Sequence, residues 1–163
     1  VYPNTSAAAD VLASNPDGIF ISNGPGDPAG APAVTKLVEE LIAAKRPLFG
    51  ICFGHQMLSL AMGAESFKLK FGHRGGNQPI QDLRTQKVEI ASHNHGFCID
   101  ADSINSEIAE VTHLNLNDRT VAGIKHKQQP LFCVQYHPEA APGPHDPYYL
   151  FEEFIDLMKE ART

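Results

Sequence analysis

Pro47-Leu48-Phe49-Gly50-Ile51-Cys52-Phe53-Gly54-His55-Gln56 decides the fold of this 163-residue chain. The apolar run Pro47 to Ile51 reads as a buried strand, and a helical pattern over 54–63 follows at once. Between them, Gly50 and Gly54 flank Cys52 at two residues on either side. That is the G-x-nucleophile-x-G layout of a strand-to-helix elbow, with Cys in place of Ser. The turn is sharp and other backbone passes close, so a Cβ at either glycine would obstruct it. Such an elbow lifts the thiol out of the sheet to a helix N-terminus, where the macrodipole favours the reactive thiolate.

The segments on either side fit the same architecture. Ser6 to Ser14 reads as a short helix with Thr5 or Ser6 as N-cap, and Gly18 to Ser22 as a strand. Pro32 to Lys45 reads as a helix, with Val34, Leu37, Val38, Leu41 and Ile42 on one face and Pro32 in the first turn. Strands that are apolar throughout, alternating with helices, predict an open, mostly parallel α/β sheet with helices on both faces. The second half predicts an antiparallel section: short alternating strands at 67–71, 87–91, 110–116 and 119–125, with Asn117-Asp118 as a turn. An apolar strand, Pro130 to Tyr136, and a closing helix over 146–162 complete the pattern. A single domain spanning 1–163 is expected, with no repeat or linker.

Composition excludes several classes of function. A net charge of −6 without a Lys/Arg cluster argues against nucleic acid, and no apolar run is long enough for a membrane helix. Three widely spaced cysteines suit a reducing compartment, and a cytoplasmic setting is expected, an organelle remaining open. The eight histidines form no i, i+4 helical pair, so no metal site is expected.

A second polar cluster, Gln135-Tyr136-His137-Pro138-Glu139, closes the strand 130–136. A cysteine nucleophile needs an imidazole to take its proton, and the imidazole needs a carboxylate to orient it. Cys52, His137 and Glu139 supply that set from two strand ends on one rim of the sheet. The loop Asn23-Gly24-Pro25-Gly26-Asp27-Pro28 matches neither phosphate-binding pattern. A rigid loop offering a backbone N–H to an oxyanion fits it better. His93-Asn94-His95 spells a nuclease label, but without a basic surface it supports no such reading; His137-Pro138-Glu139 lacks the downstream cysteine pair of a zinc deaminase. Cys98 and Cys133 read as small core residues.

The elbow 50–56, the loop 23–28 and His137-Pro138-Glu139 together resemble the class I, triad-type glutamine amidotransferase family. The stretches 70–77, 94–97 and 138–146 narrow the resemblance to the amidotransferase domain of carbamoyl-phosphate synthetase small subunits. The resemblance implies a flavodoxin-like fold and hydrolysis of glutamine to glutamate and ammonia, for carbamoyl phosphate in pyrimidine and arginine biosynthesis. It implies Cys52 as nucleophile, His137 as base and acid, and Glu139 as its orienting group. It also implies Gly24 and Phe53 as oxyanion-hole donors, and Gly26, Gln56, Asn94, Gly96 and Phe97 as glutamine-binding residues.

No cofactor is expected in this domain, ATP and Mg being expected on a partner synthetase subunit or fused synthetase domain. The family pattern also places one more strand and helix, and a separate N-terminal small-subunit domain, before the region resembling Val1-Tyr2-Pro3. A chain lacking them is expected to be unstable or to aggregate. Two alternatives stay open: the amidotransferase of anthranilate or GMP synthesis, and a non-catalytic domain kept for subunit contact and regulation.

Overall fold

The computed structural model describes residues 1–140 and 142–162; Ala141, within the 138–146 stretch, lies outside the described residues. Helix α1 (Ala8–Ala13) leads to strand β1 (Ile19–Ile21), helix α2 (Pro32–Ala43), strand β2 (Leu48–Ile51) and helix α3 (Phe53–Ala61). Strands β3 (Ser66–Asp82), β4 (Val88–Ile99), β5 (Ala109–Asn115), β6 (Val121–His126) and β7 (Leu131–Val134) follow, and helix α4 (Tyr149–Glu160) closes the chain. All seven strands form one sheet in the order β1-β2-β7-β6-β5-β3-β4. β1, β2 and β7 run parallel, while the pairings from β7 through β6, β5 and β3 to β4 are antiparallel. Among the described residues, no helix is long and apolar enough to cross a membrane.

The period-two geometry of a strand explains why β2 and β7 are apolar at every position: each face is covered by a different helix layer. Leu48 and Leu131 face α2 and α3, packing with Val38, Leu41, Met57 and Leu58. Phe49, Ile51, Phe132 and Val134 face α4, packing with Leu150 and Phe154. Phe49 and Phe132 sit side by side in register and stack at 4.5 Å. Burying one such ring stabilises by about 2–3 kcal/mol, so this pair fixes the register of β2 against β7. That register in turn sets where the two strands end.

Two local expectations differ from the structure. The N-cap of α1 is Ala7, with no side-chain bond, rather than Thr5 or Ser6. The Ser6 amide instead closes a turn on the Pro3 carbonyl at 3.0 Å, which delays the helix by two residues. The separate short strands expected at 67–71 and 87–91 belong to a single long hairpin, β3–β4. It passes through the 72–77 segment with register shifts between Lys68/His73 and Gly75/Gln78. Gly72 (φ 75°) and Gly75 (φ 109°) take up the left-handed backbone those bulges require. A cluster of glycines therefore marks an irregular strand here rather than its end.

Candidate active site

Cys52 is the N-cap of α3, with φ 51° and ψ −106°. This is a conformation that a non-glycine residue holds only where its surroundings enforce it. The enforcement comes from both sides. Its amide donates to the Val134 carbonyl of β7 at 2.9 Å, and its carbonyl accepts from Gln56 N at 3.1 Å. The flanking glycines are sterically required: a Cβ on Gly54 would lie 2.1 Å from the Ile21 carbonyl oxygen, and one on Gly50 would lie 2.8 Å from the Gly54 backbone. The chain thus turns from strand to helix beneath the end of β1, and the Phe53 amide becomes the first N–H of α3, without an intrahelical acceptor.

The imidazole reaches this point from β7. The His137 amide donates to Ser92 O at 2.8 Å, tying the end of β7 to β4. Ala140 (φ 45°) closes the following turn, its amide bonded to His137 O at 3.1 Å. That turn folds Glu139 back onto its neighbour, so that His137 Nδ1 donates to Glu139 Oε1 at 2.7 Å. His137 Nε2 is buried and lacks a partner of ordinary hydrogen-bond geometry. The Cys52 thiol beside it nevertheless leads the rise of the imidazole pKa to about 10, Glu139 adding to it. The two observations agree if thiol and imidazole are adjacent but imperfectly aligned, as is common in an unliganded site. Partial burial opposes the charge on Glu139, yet its bond to His137 holds the carboxyl below the usual range.

Cys52 is 4% exposed, and its Sγ lies 4.0 Å from the Asn94 carbonyl oxygen in β4. Burial pushes the thiols of Cys98 and Cys133 up to about 12. Cys133 Sγ is 3.1 Å from His55 Nδ1 inside the core.

The loop after β1 abuts the elbow, since Gly24 lies against the Phe53 side chain. Gly26 (φ 104°) stands in open space at the exposed end of that loop and is not drawn against the triad. Asp27 has a structural task, its Oδ1 accepting from Ala29 N at 3.0 Å to cap a 3-10 turn. Asn94, Gly96 and Phe97 share β4, in which the Asn94 carbonyl meets Cys52. Gln56 is buried, and its Nε2 donates to Phe97 O at 2.9 Å and to Gln135 Oε1 at 3.1 Å. Among the described residues, no donor reaches Gln56 Oε1.

Gln135, His93 and His95 complete this network, and the sequence reading named none of them as a site residue. Burial lowers the pKa of His93 to about 2 and of His95 to about 4. Donor atoms of His73, His95 and Cys98 also come within 4.8 Å of one another, a grouping that helical spacing alone does not reveal. His95 Nδ1 is already bonded to Phe97 O at 2.8 Å and His73 Nε2 to Asp118 at 2.8 Å, which commits the set to protein partners.

Comparison with known proteins places these features in a family context. Residues 1–157 match the family described as glutamine amidotransferase class-I. The chain is 57% identical over 163 residues to the carbamoyl phosphate synthase small chain of Synechocystis sp., covering all of this chain and 42% of that protein. The small chain of Thermosynechococcus vestitus is 57% identical over 162 residues, again with 42% of its length covered. The chain therefore spans about two-fifths of the curated relatives it matches. Among solved structures, a Thermoplasma acidophilum protein designated as part of a GMP synthase superposes with a TM-score of 0.84 at 21% identity. The overlap covers 99% of this chain and 81% of that one, a likeness of fold.

Proposed function

Because this chain belongs to the class-I glutamine amidotransferase family, we propose that it hydrolyses glutamine to glutamate and ammonia through a Cys52 thioester. The observation that carries the reading is His137 set between Cys52 and Glu139, with its imidazole pKa raised to about 10. With its pKa raised to about 10, His137 is charged at pH 7 and already holds the thiol proton, so the Cys52 thiolate attacks the side-chain carboxamide carbon of glutamine. The Phe53 amide, at a helix N-terminus, and the Gly24 amide are the donors this reading assigns to the oxyanion that forms. The C–N bond then breaks, His137 returning its proton so that ammonia departs. Water attacks the thioester, giving a proton to His137; the C–S bond breaks, glutamate leaves and the thiolate is restored. Gln56 Oε1 is an acceptor suited to the substrate's ammonium group. The N–H groups of β4 at Gly96 and Phe97 suit its carboxylate.

The small-chain relatives support a narrower statement. The ammonia passes to a large synthetase subunit, or to a fused synthetase domain, for carbamoyl phosphate synthesis in the cytoplasm. ATP and Mg belong to that partner, and this domain supplies no cofactor of its own. The test is Cys52→Ala in the full-length protein with its partner. Glutamine-dependent synthesis should be abolished while free ammonia still supports it. A Cys52→Ala complex that still uses glutamine would end the proposal.

A further inference from the structure

We infer that His93 is a positioning residue for the glutamine site: its Nδ1–H, donated to His95 Nε2, locks His95 in the tautomer that grips the Phe97 carbonyl. The inference rests on the glutamine-hydrolysing reading of the site. Its logic follows from what each atom is able to do. A backbone carbonyl only accepts, so the 2.8 Å contact between His95 Nδ1 and Phe97 O requires the proton on His95 Nδ1. Burial keeps both rings neutral at pH 7, which leaves His95 Nε2 bare. The 2.9 Å contact from His93 Nδ1 to His95 Nε2 then requires the proton on His93 Nδ1. His93 Nε2 is therefore a bare nitrogen, buried and unpartnered.

An unsatisfied buried nitrogen is costly, and an apolar side chain would fill the space without it. The retained imidazole is explained by the work of its other nitrogen. Phe97 O accepts from both His95 and Gln56, so the tautomer of His95 settles whether that carbonyl is held by two donors or faces a lone pair. The same stretch of β4 carries Asn94, whose carbonyl lies 4.0 Å from the Cys52 sulfur. Loss of the relay therefore loosens the strand and side chain that seat glutamine, without touching the triad.

The test compares His93→Phe, which keeps a ring but removes the donor, with His93→Asn, whose amide nitrogen replaces Nδ1–H. In the full-length protein, His93→Phe should raise the KM for glutamine about tenfold, the weight of one hydrogen bond, with kcat within about threefold. His93→Asn should restore KM to within about threefold of the unsubstituted protein. Nitrogen-15 NMR of histidine-labelled full-length protein should show His95 protonated at Nδ1, with coupling across the His93–His95 bond. An unchanged KM in His93→Phe, or equal damage from both variants, would overturn the inference. So would a His95 proton on Nε2, a readout that stands even if His93→Phe does not fold. If the unsubstituted protein releases no glutamate from glutamine, the parent reading fails separately. The tautomer of His95 then decides this one.

Discussion

Adding one methyl group at Gly54 tests the elbow most directly. An alanine Cβ there would sit 2.1 Å from the Ile21 carbonyl oxygen, whereas ordinary contact begins near 3.4 Å. The two backbones must separate by about 1.3 Å, and neither is a flexible side-chain end. Gly54 is the second residue of α3, so the displacement moves the Phe53 amide and the Cys52 thiol relative to the loop at Gly24. A misplacement of about 1 Å costs roughly 100-fold in rate, and loss of an oxyanion donor about 100- to 1,000-fold. Gly54→Ala should therefore lower kcat/KM for glutamine by at least about 100-fold, or close to 3 kcal/mol. Helix propensity alone predicts the opposite sign, a stabilisation of up to about 1 kcal/mol. Gly30→Ala, whose Cβ would meet nothing closer than 3.8 Å, is the control and should be silent. The assay is glutamate release by the full-length protein, with circular dichroism to follow the fold. Activity within about threefold of the unsubstituted protein would refute the steric argument.

Two further outcomes follow from the electrostatics. Glu139→Gln keeps the shape but removes the charge that orients His137, and should lower kcat about tenfold, the low end for a charge-assisted bond at a half-exposed carboxylate; an unchanged kcat would remove Glu139 from the triad. Acid should destabilise the domain sharply. His55, His93, His95 and His113 are buried, with pKa values lowered by desolvation to about 3, 2, 4 and 4 from 6.5. A depressed histidine pKa means that the unfolded chain binds protons first. The stability these rings contribute is thus present above pH 6.5 and is lost progressively below it. Between pH 6.5 and 5.5 each loses about 1 kcal/mol, on the order of 4 in all, against a typical stability of about 5–15 kcal/mol. Urea midpoints measured across that range check this, and a flat profile would contradict the buried neutral state.

Cys52, His137 and Glu139 were legible in the sequence because each carries a local signature: glycines around a nucleophile, and a carboxylate two residues beyond an imidazole at a strand end. Helix α2 was legible from its spacing of apolar residues. The elbow is dictated by short-range sterics that any fold containing it must satisfy. By contrast, the sequence reading gave His93 and His95 no part in the site and ended a strand at 71, before the glycines of 72–77.

The reason is physical. An apolar strand carries little in its own residues to say which partner it will pair with, so the placement of β7 between β2 and β6 comes from packing across the sheet. That placement brings His137 to Cys52 from 85 positions away in the chain. The tautomer of His95 likewise depends on a carbonyl, an amide and a second imidazole that only the folded β4 and α3 bring together. Local chemistry named the reacting groups; long-range packing settled their distances, their protons and their order in the sheet.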